Sequence, residues 1–96
     1  MIVNREVFML KGTRAGEAWA LIRAEMTRLH PHQRVRFYTP NLAPLGAYAW
    51  EAEYESLAEF EKARDARYAA VSPEVVKKFF EMVEIIGGTN EIWNLE

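Results

Sequence analysis

Cysteine is absent from the chain, which excludes a disulfide framework, a cysteine–zinc site and thiol catalysis. Serine is nearly absent. Ser56 and Ser72 both sit at helix-start signals and neither has a G-x-S-x-G context, so serine chemistry is disfavoured. Glycine is scarce outside Gly87-Gly88, and no Walker loop or G-x-G-x-x-G run occurs, which argues against a nucleotide-dependent enzyme. Positive charge is not in excess: 12 basic residues face 14 acidic ones, a net charge of -2. A protein that neutralises several phosphates is usually basic, so no nucleic-acid partner is expected. No apolar run is long enough to span a bilayer. The opening "MIVNREVFML" carries Arg5 and Glu6 inside its apolar run, unlike a signal peptide. A cytoplasmic protein without a membrane partner is the expectation.

Bulky apolar material is abundant. Half of the 96 residues are apolar, and three are tryptophan. One domain of this size is expected, yet this is more than one thin α+β layer consumes, which favours a buried oligomer interface.

Ile2 to about Leu10 reads as a strand with faces Val3/Arg5/Val7/Met9 and Ile2/Asn4/Glu6/Phe8/Leu10, each carrying charge. A helix follows to Leu29, with Ala15, Ala18, Trp19, Ile22, Met26 and Leu29 on one stripe and Trp19 in the core. His30-Pro31 ends it. Arg34–Thr39 is a second strand, "PNLAPLG" a hairpin loop, and about Leu45 to Tyr54 a third strand. Ser56 and Glu59 form a capping box for a helix with Leu57, Phe60, Tyr68 and Val71 along it. Its charged run "FEKARDARY" reads as a wet face. Ser72-Pro73-Glu74 starts another helix, with Val76, Phe79, Phe80, Val83 and Ile86 as its stripe and Gly87-Gly88 as its stop. Asn90–Leu95 is the last strand. The expected class is therefore α+β, a ferredoxin-like split βαβ arrangement with helices on one face of an antiparallel sheet. Pairing two such sheets face to face would cover the other side, so a homodimer is expected.

Over nearly its whole length the chain resembles the dimeric α/β-barrel superfamily. The likeness rests on "NREVFMLKGTRAGEAWALI", "YAWEAEYESLAEFEKAR", the Ser-Pro-Glu helix start and the terminal "NEIWNL". Within that group it is most similar to NIPSNAP-like and antibiotic-biosynthesis-monooxygenase-like proteins. The resemblance implies a ferredoxin-like subunit whose sheet pairs with a second copy, enclosing a barrel with a cavity in each subunit. The superfamily includes cofactor-independent oxygenases, isomerases, haem-degrading enzymes and proteins without assigned activity.

Glu51 and Glu53 are two apart on the third strand, on the face opposite Tyr48 and Trp50. Directed into a cavity, they would form an acid/base pair with raised pKa values; otherwise they belong to a structural ion-pair ladder with Arg34 and Arg36. Hairpin register decides whether Arg36 meets a glutamate or an aromatic ring. Tyr38, Tyr48, Trp50 and Trp93 are candidates to line a site for a flat apolar ligand, with Arg36 beside them. His30 and His32 are too isolated for a metal site, and His30 suits the last carbonyls of its helix. No metal and no cofactor are expected. Two functions follow: a module holding an apolar or aromatic small molecule in the barrel cavity, or a cofactor-independent oxygenase or isomerase. In the second, Glu51 or Glu53 is the base while Arg36 and Tyr38 stabilise developing negative charge.

Overall fold

The computed structural model describes residues 1–42 and 46–96. The chain runs β1 (Ile2–Lys11), α1 (Ala15–Leu29), β2 (Val35–Tyr38), β3 (Ala47–Tyr54), α2 (Leu57–Ala70), α3 (Pro73–Met82) and β4 (Glu84–Asn94). The four strands form one antiparallel sheet in the order β2-β3-β1-β4. This is the expected ferredoxin-like α+β arrangement. The expected start of the third strand, Leu45, lies outside the described residues, as does part of the preceding loop.

The helices lie on one face of the sheet. Alternation along β1 and β3 sends Asn4, Leu10, Trp50, Ala52 and Tyr54 to that face, where all are buried. From the helix layer, Ala18, Trp19 and Met26 of α1, Phe60 of α2 and Phe79 of α3 complete the core. The molecule is only 18 Å through its shortest dimension, so the second sheet face has no covering layer among the described residues.

Local chemistry explains the helix boundaries. Ser56 Oγ accepts from the Glu59 backbone N–H at 3.2 Å, and Ser72 Oγ from that of Val75 at 3.4 Å. His30 closes α1 by directing Nδ1 at the Met26 carbonyl, 2.7 Å away. Between α2 and α3 the chain turns at Val71, and buried Glu25 of α1 secures the turn. Its carboxylate accepts the Ser72 backbone N–H at 2.6 Å, while Arg28 bonds it at 2.7 and 2.9 Å. Arg28 also donates to the Ala70 carbonyl at 3.1 Å. Neither Glu25 nor Arg28 stood out in the sequence.

Two expectations are corrected. The third helix stops at Met82, not at Gly87-Gly88, and β4 begins at Glu84 instead of Asn90. The β-branched residues Val83, Ile85 and Ile86 favour extended backbone, and pairing with β1 satisfies it: Ile85 faces Leu10, and Glu84 faces Lys11. Gly88 is a strand residue at the closest approach of β1. Its φ is +155°, and a Cβ there would lie 2.0 Å from the Val7 carbonyl oxygen. The register shift between Met9 and Leu10 leaves Ile86 as an extra residue in β4, a β-bulge. The second correction concerns α2. Leu57 and Tyr68 are exposed, whereas Arg67, read as part of a wet face, is buried. The inward stripe is Phe60, Ala63 and Arg67, at helical spacing, with a charged residue on it.

Candidate functional site

Polar groups converge in two places, one on each face of the sheet. On the helix face, a cavity of about 380 Å³ opens between the layers, within the range of small-molecule sites. Trp19, Ile22 and Met26 of α1 form one wall, Val76, Phe79 and Phe80 of α3 another, and Phe8, Trp50 and Ile85 the sheet side. Its charged lining residues are Glu6 of β1 and Arg67 of α2. Antiparallel register sets Glu6 opposite Trp50, and the Trp50 indole N–H donates to Glu6 Oε2 at 3.2 Å. Arg67 Nη2 donates to Glu6 Oε1, also at 3.2 Å. The guanidinium carbon lies 5.4 Å from the ring centres of both Trp50 and Tyr68, a cation–π arrangement. Arg67 Nη1 and the Trp19 indole Nε1, both buried, have no hydrogen-bond partner among the described residues.

His30 packs on the other side of Trp50, with ring centres 5.1 Å apart. Because Nδ1 faces a carbonyl, it carries the proton in the neutral ring, and Nε2 is a buried acceptor without a partner. Burial holds His30 below the ordinary imidazole pKa, with Arg67 acting in the same direction, against the opposing Met26 hydrogen bond and Glu6 charge.

On the open face, Glu51 is the centre of a charged cluster. The residue is only 4% exposed, and its carboxylate accepts four hydrogen bonds: from Arg5 at 2.9 and 3.0 Å, from Arg36 at 2.7 Å and from the Tyr38 hydroxyl at 2.7 Å. Arg36 also bonds Glu53 at 2.7 Å. Burial pushes the Glu51 pKa up, but the bonds from Tyr38, Arg36 and Arg5 together outweigh it and bring the value to about 2. Arg36 is raised in turn, by its hydrogen bond to Glu51 first and that to Glu53 second. Glu51 is thus a fixed anion, the opposite of the raised pKa expected of a cavity base.

No family model matches the chain, and no curated protein matches it in sequence. Solved structures do match. An uncharacterized NIPSNAP-like domain protein from Burkholderia xenovorans superposes with a TM-score of 0.79 at 21% identity, over 99% of this chain and 84% of that one. The chain has the NIPSNAP-like fold. A putative antibiotic biosynthesis monooxygenase from Nitrosomonas europaea shares it, with a TM-score of 0.70 at 11% identity over 99% of this chain and 98% of that one. So does SnoaB, a cofactor-independent oxygenase from Streptomyces nogalater, with a TM-score of 0.66 at 10% identity, over 99% and 92% of the two chains.

Within this NIPSNAP-like fold, the residues singled out in the sequence divide between the two faces. Trp50 lines the cavity, and Tyr48 packs on Trp19 beside it, with ring centres 5.4 Å apart. Arg36, Tyr38, Glu51 and Glu53 meet on the open face, because the hairpin register puts Arg36 opposite Glu51 and not against Trp50 or Tyr48. Trp93 pairs with Val3 on that same face and is exposed, its indole N–H bonded to Glu91 at 2.8 Å. Sequence reasoning missed Glu6 and Arg67. The available signal was the Phe60–Ala63–Arg67 spacing, which sets an arginine on an apolar stripe. Among the described residues, no group of three or more His, Asp or Glu side chains is arranged to hold a metal ion, and no helix is long and apolar enough to cross a membrane.

Proposed function

We propose that the protein is a homodimeric small-molecule-binding protein, and that its ligand is an apolar, ring-containing compound held between the helices and the sheet. The supporting observation is the cavity itself: about 380 Å³, walled by aromatic and aliphatic side chains, with a single charged pair at Glu6 and Arg67. Such a site removes most of a ligand's apolar surface from water and orients it with few polar groups. The open sheet face is the proposed dimer surface. It carries Trp93 and Tyr38 among charged residues that already satisfy one another, and Leu95, half exposed, follows at the end of β4. In this reading Arg36, Tyr38 and Trp93 serve assembly, and Trp50 serves the ligand.

Titration with the uncharged dye phenylnaphthylamine tests the cavity. Wild-type protein should enhance its fluorescence saturably, and Val76→Trp, which fills the space between α3 and the sheet, should abolish the enhancement while leaving the circular dichroism unchanged. Equal enhancement by both proteins contradicts the assignment. For the dimer, light scattering at micromolar concentration should give twice the mass of one chain; a monomer contradicts it.

A cofactor-independent oxygenase or isomerase is the second reading, favoured by one observation: the cavity contains a carboxylate, Glu6. As a base Glu6 is better situated than Glu51, whose low pKa and four hydrogen bonds make it a poor proton acceptor. A ligand recovered unchanged in mass and chromatographic retention, after prolonged incubation with the protein in air, contradicts this reading.

A further inference from the structure

The cavity's polar groups carry information about the head group of its ligand. Glu6 and Arg67 form an ion pair at 3.2 Å and are the charged residues lining the cavity, so its fixed charges cancel. Their side chains are 16% and 8% exposed, which shelters the pair from bulk water.

We propose that this cavity selects uncharged ligands built on an apolar ring system, and that Glu6 is the specificity-determining residue that excludes the corresponding carboxylates. The inference rests on the cavity reading above. A ketone enters such a site at the modest desolvation cost of a neutral group. A carboxylate costs far more to desolvate, and the charge that would compensate it is already engaged by Glu6. The anion would also lie close to the Glu6 carboxylate, and like charges held together in a sheltered site repel strongly. Selection of this kind works by a repulsive element as much as by an attractive one. If Glu6 were neutral, Arg67 would be an unpaired cation facing an apolar cavity, and the preference would invert.

Calorimetric titration with methyl naphthyl ketone and naphthoate, which share ring and attachment point, tests this at neutral pH. Wild-type protein should bind the ketone at least about tenfold more tightly, the cost of carrying an uncompensated charge into the site. Glu6→Gln should reverse the order, and Arg67→Gln, which leaves the Glu6 charge alone, should widen the gap beyond that of wild type. Equal affinities in the wild type, or a ratio that Glu6→Gln leaves unchanged, would overturn the proposal while the cavity reading stands. If neither compound binds and the dye also fails to bind, the cavity reading falls, and this inference with it. Should Glu6→Gln not fold, Arg67→Gln decides alone: a ratio at or below the wild-type value overturns the proposal.

Discussion

Replacing Glu51 with glutamine keeps the shape of the side chain and removes its charge. In the folded protein its pKa is lowered from the ordinary 4.5 to about 2, and the displacement, at roughly 1.36 kcal/mol per pH unit, corresponds to about 3 kcal/mol. Arg5 is 44% exposed, so water recovers part of what it loses, which brings the expected cost of Glu51→Gln to about 2 kcal/mol. For a domain of this size that is a fall in melting temperature of roughly 8–16 °C at neutral pH. The pH dependence is the sharper signature. A carboxylate whose folded pKa is depressed contributes its stability above its unfolded pKa and loses it as pH falls through the folded value. Wild-type protein should therefore lose about 2 kcal/mol between pH 4.5 and about 2 from this residue. Glu51→Gln should lack that part of the acid limb. Urea denaturation at fixed protein concentration, repeated across the pH range, measures both effects. A variant within about 0.5 kcal/mol of wild type at neutral pH, the range of ordinary surface substitutions, and with an unaltered acid limb, would refute the reasoning.

Glu25→Ala removes the acceptor that holds the α2–α3 turn to α1 and leaves the Ser72 backbone N–H and Arg28 without it; a loss of about 2 kcal/mol is expected, with faster amide exchange in the turn, and slow exchange there would contradict it. His30 supplies a second pH dependence. Its folded pKa is depressed by burial, so its contribution is present above about pH 6.5 and is lost as pH falls through the folded value. His30→Gln should flatten wild-type stability as pH falls from about 6.5; an identical slope in both proteins would show that the ring is not responsible.

Architecture was readable because its signals are local. Ser56 with Glu59, and Ser72 before Pro73, announce helix starts within a few residues of each other, and the alternation along β1 and β3 is visible by inspection. The α3–β4 boundary was not, since Val83, Ile85 and Ile86 satisfy helical spacing as well as strand propensity, and only pairing with β1 separates the two. The site was harder still. Glu6 and Arg67 stand 61 positions apart and meet only through the packing of α2 on the sheet. Arg67 sits in a run of alternating charge whose neighbours do face water. The placement of Glu51 beside Arg36 depended on a hairpin register that the loop sequence leaves open. Residue types at a site were legible, then, wherever a short spacing carried them, and illegible wherever two distant strands or a helix and a strand had to meet.

The three tryptophans provide the most direct test of the central claim, that the ligand site lies between helices and sheet and not on the open face. Trp19 and Trp50 line the cavity, and Trp93 is exposed on the opposite side of the sheet. With nitrogen-labelled tryptophan, each indole N–H gives its own signal, and methyl naphthyl ketone can be titrated against all three at once. Trp19 and Trp50 should shift saturably with a common affinity while Trp93 stays stationary. Movement of Trp93 with Trp19 and Trp50 unmoved would contradict the claim.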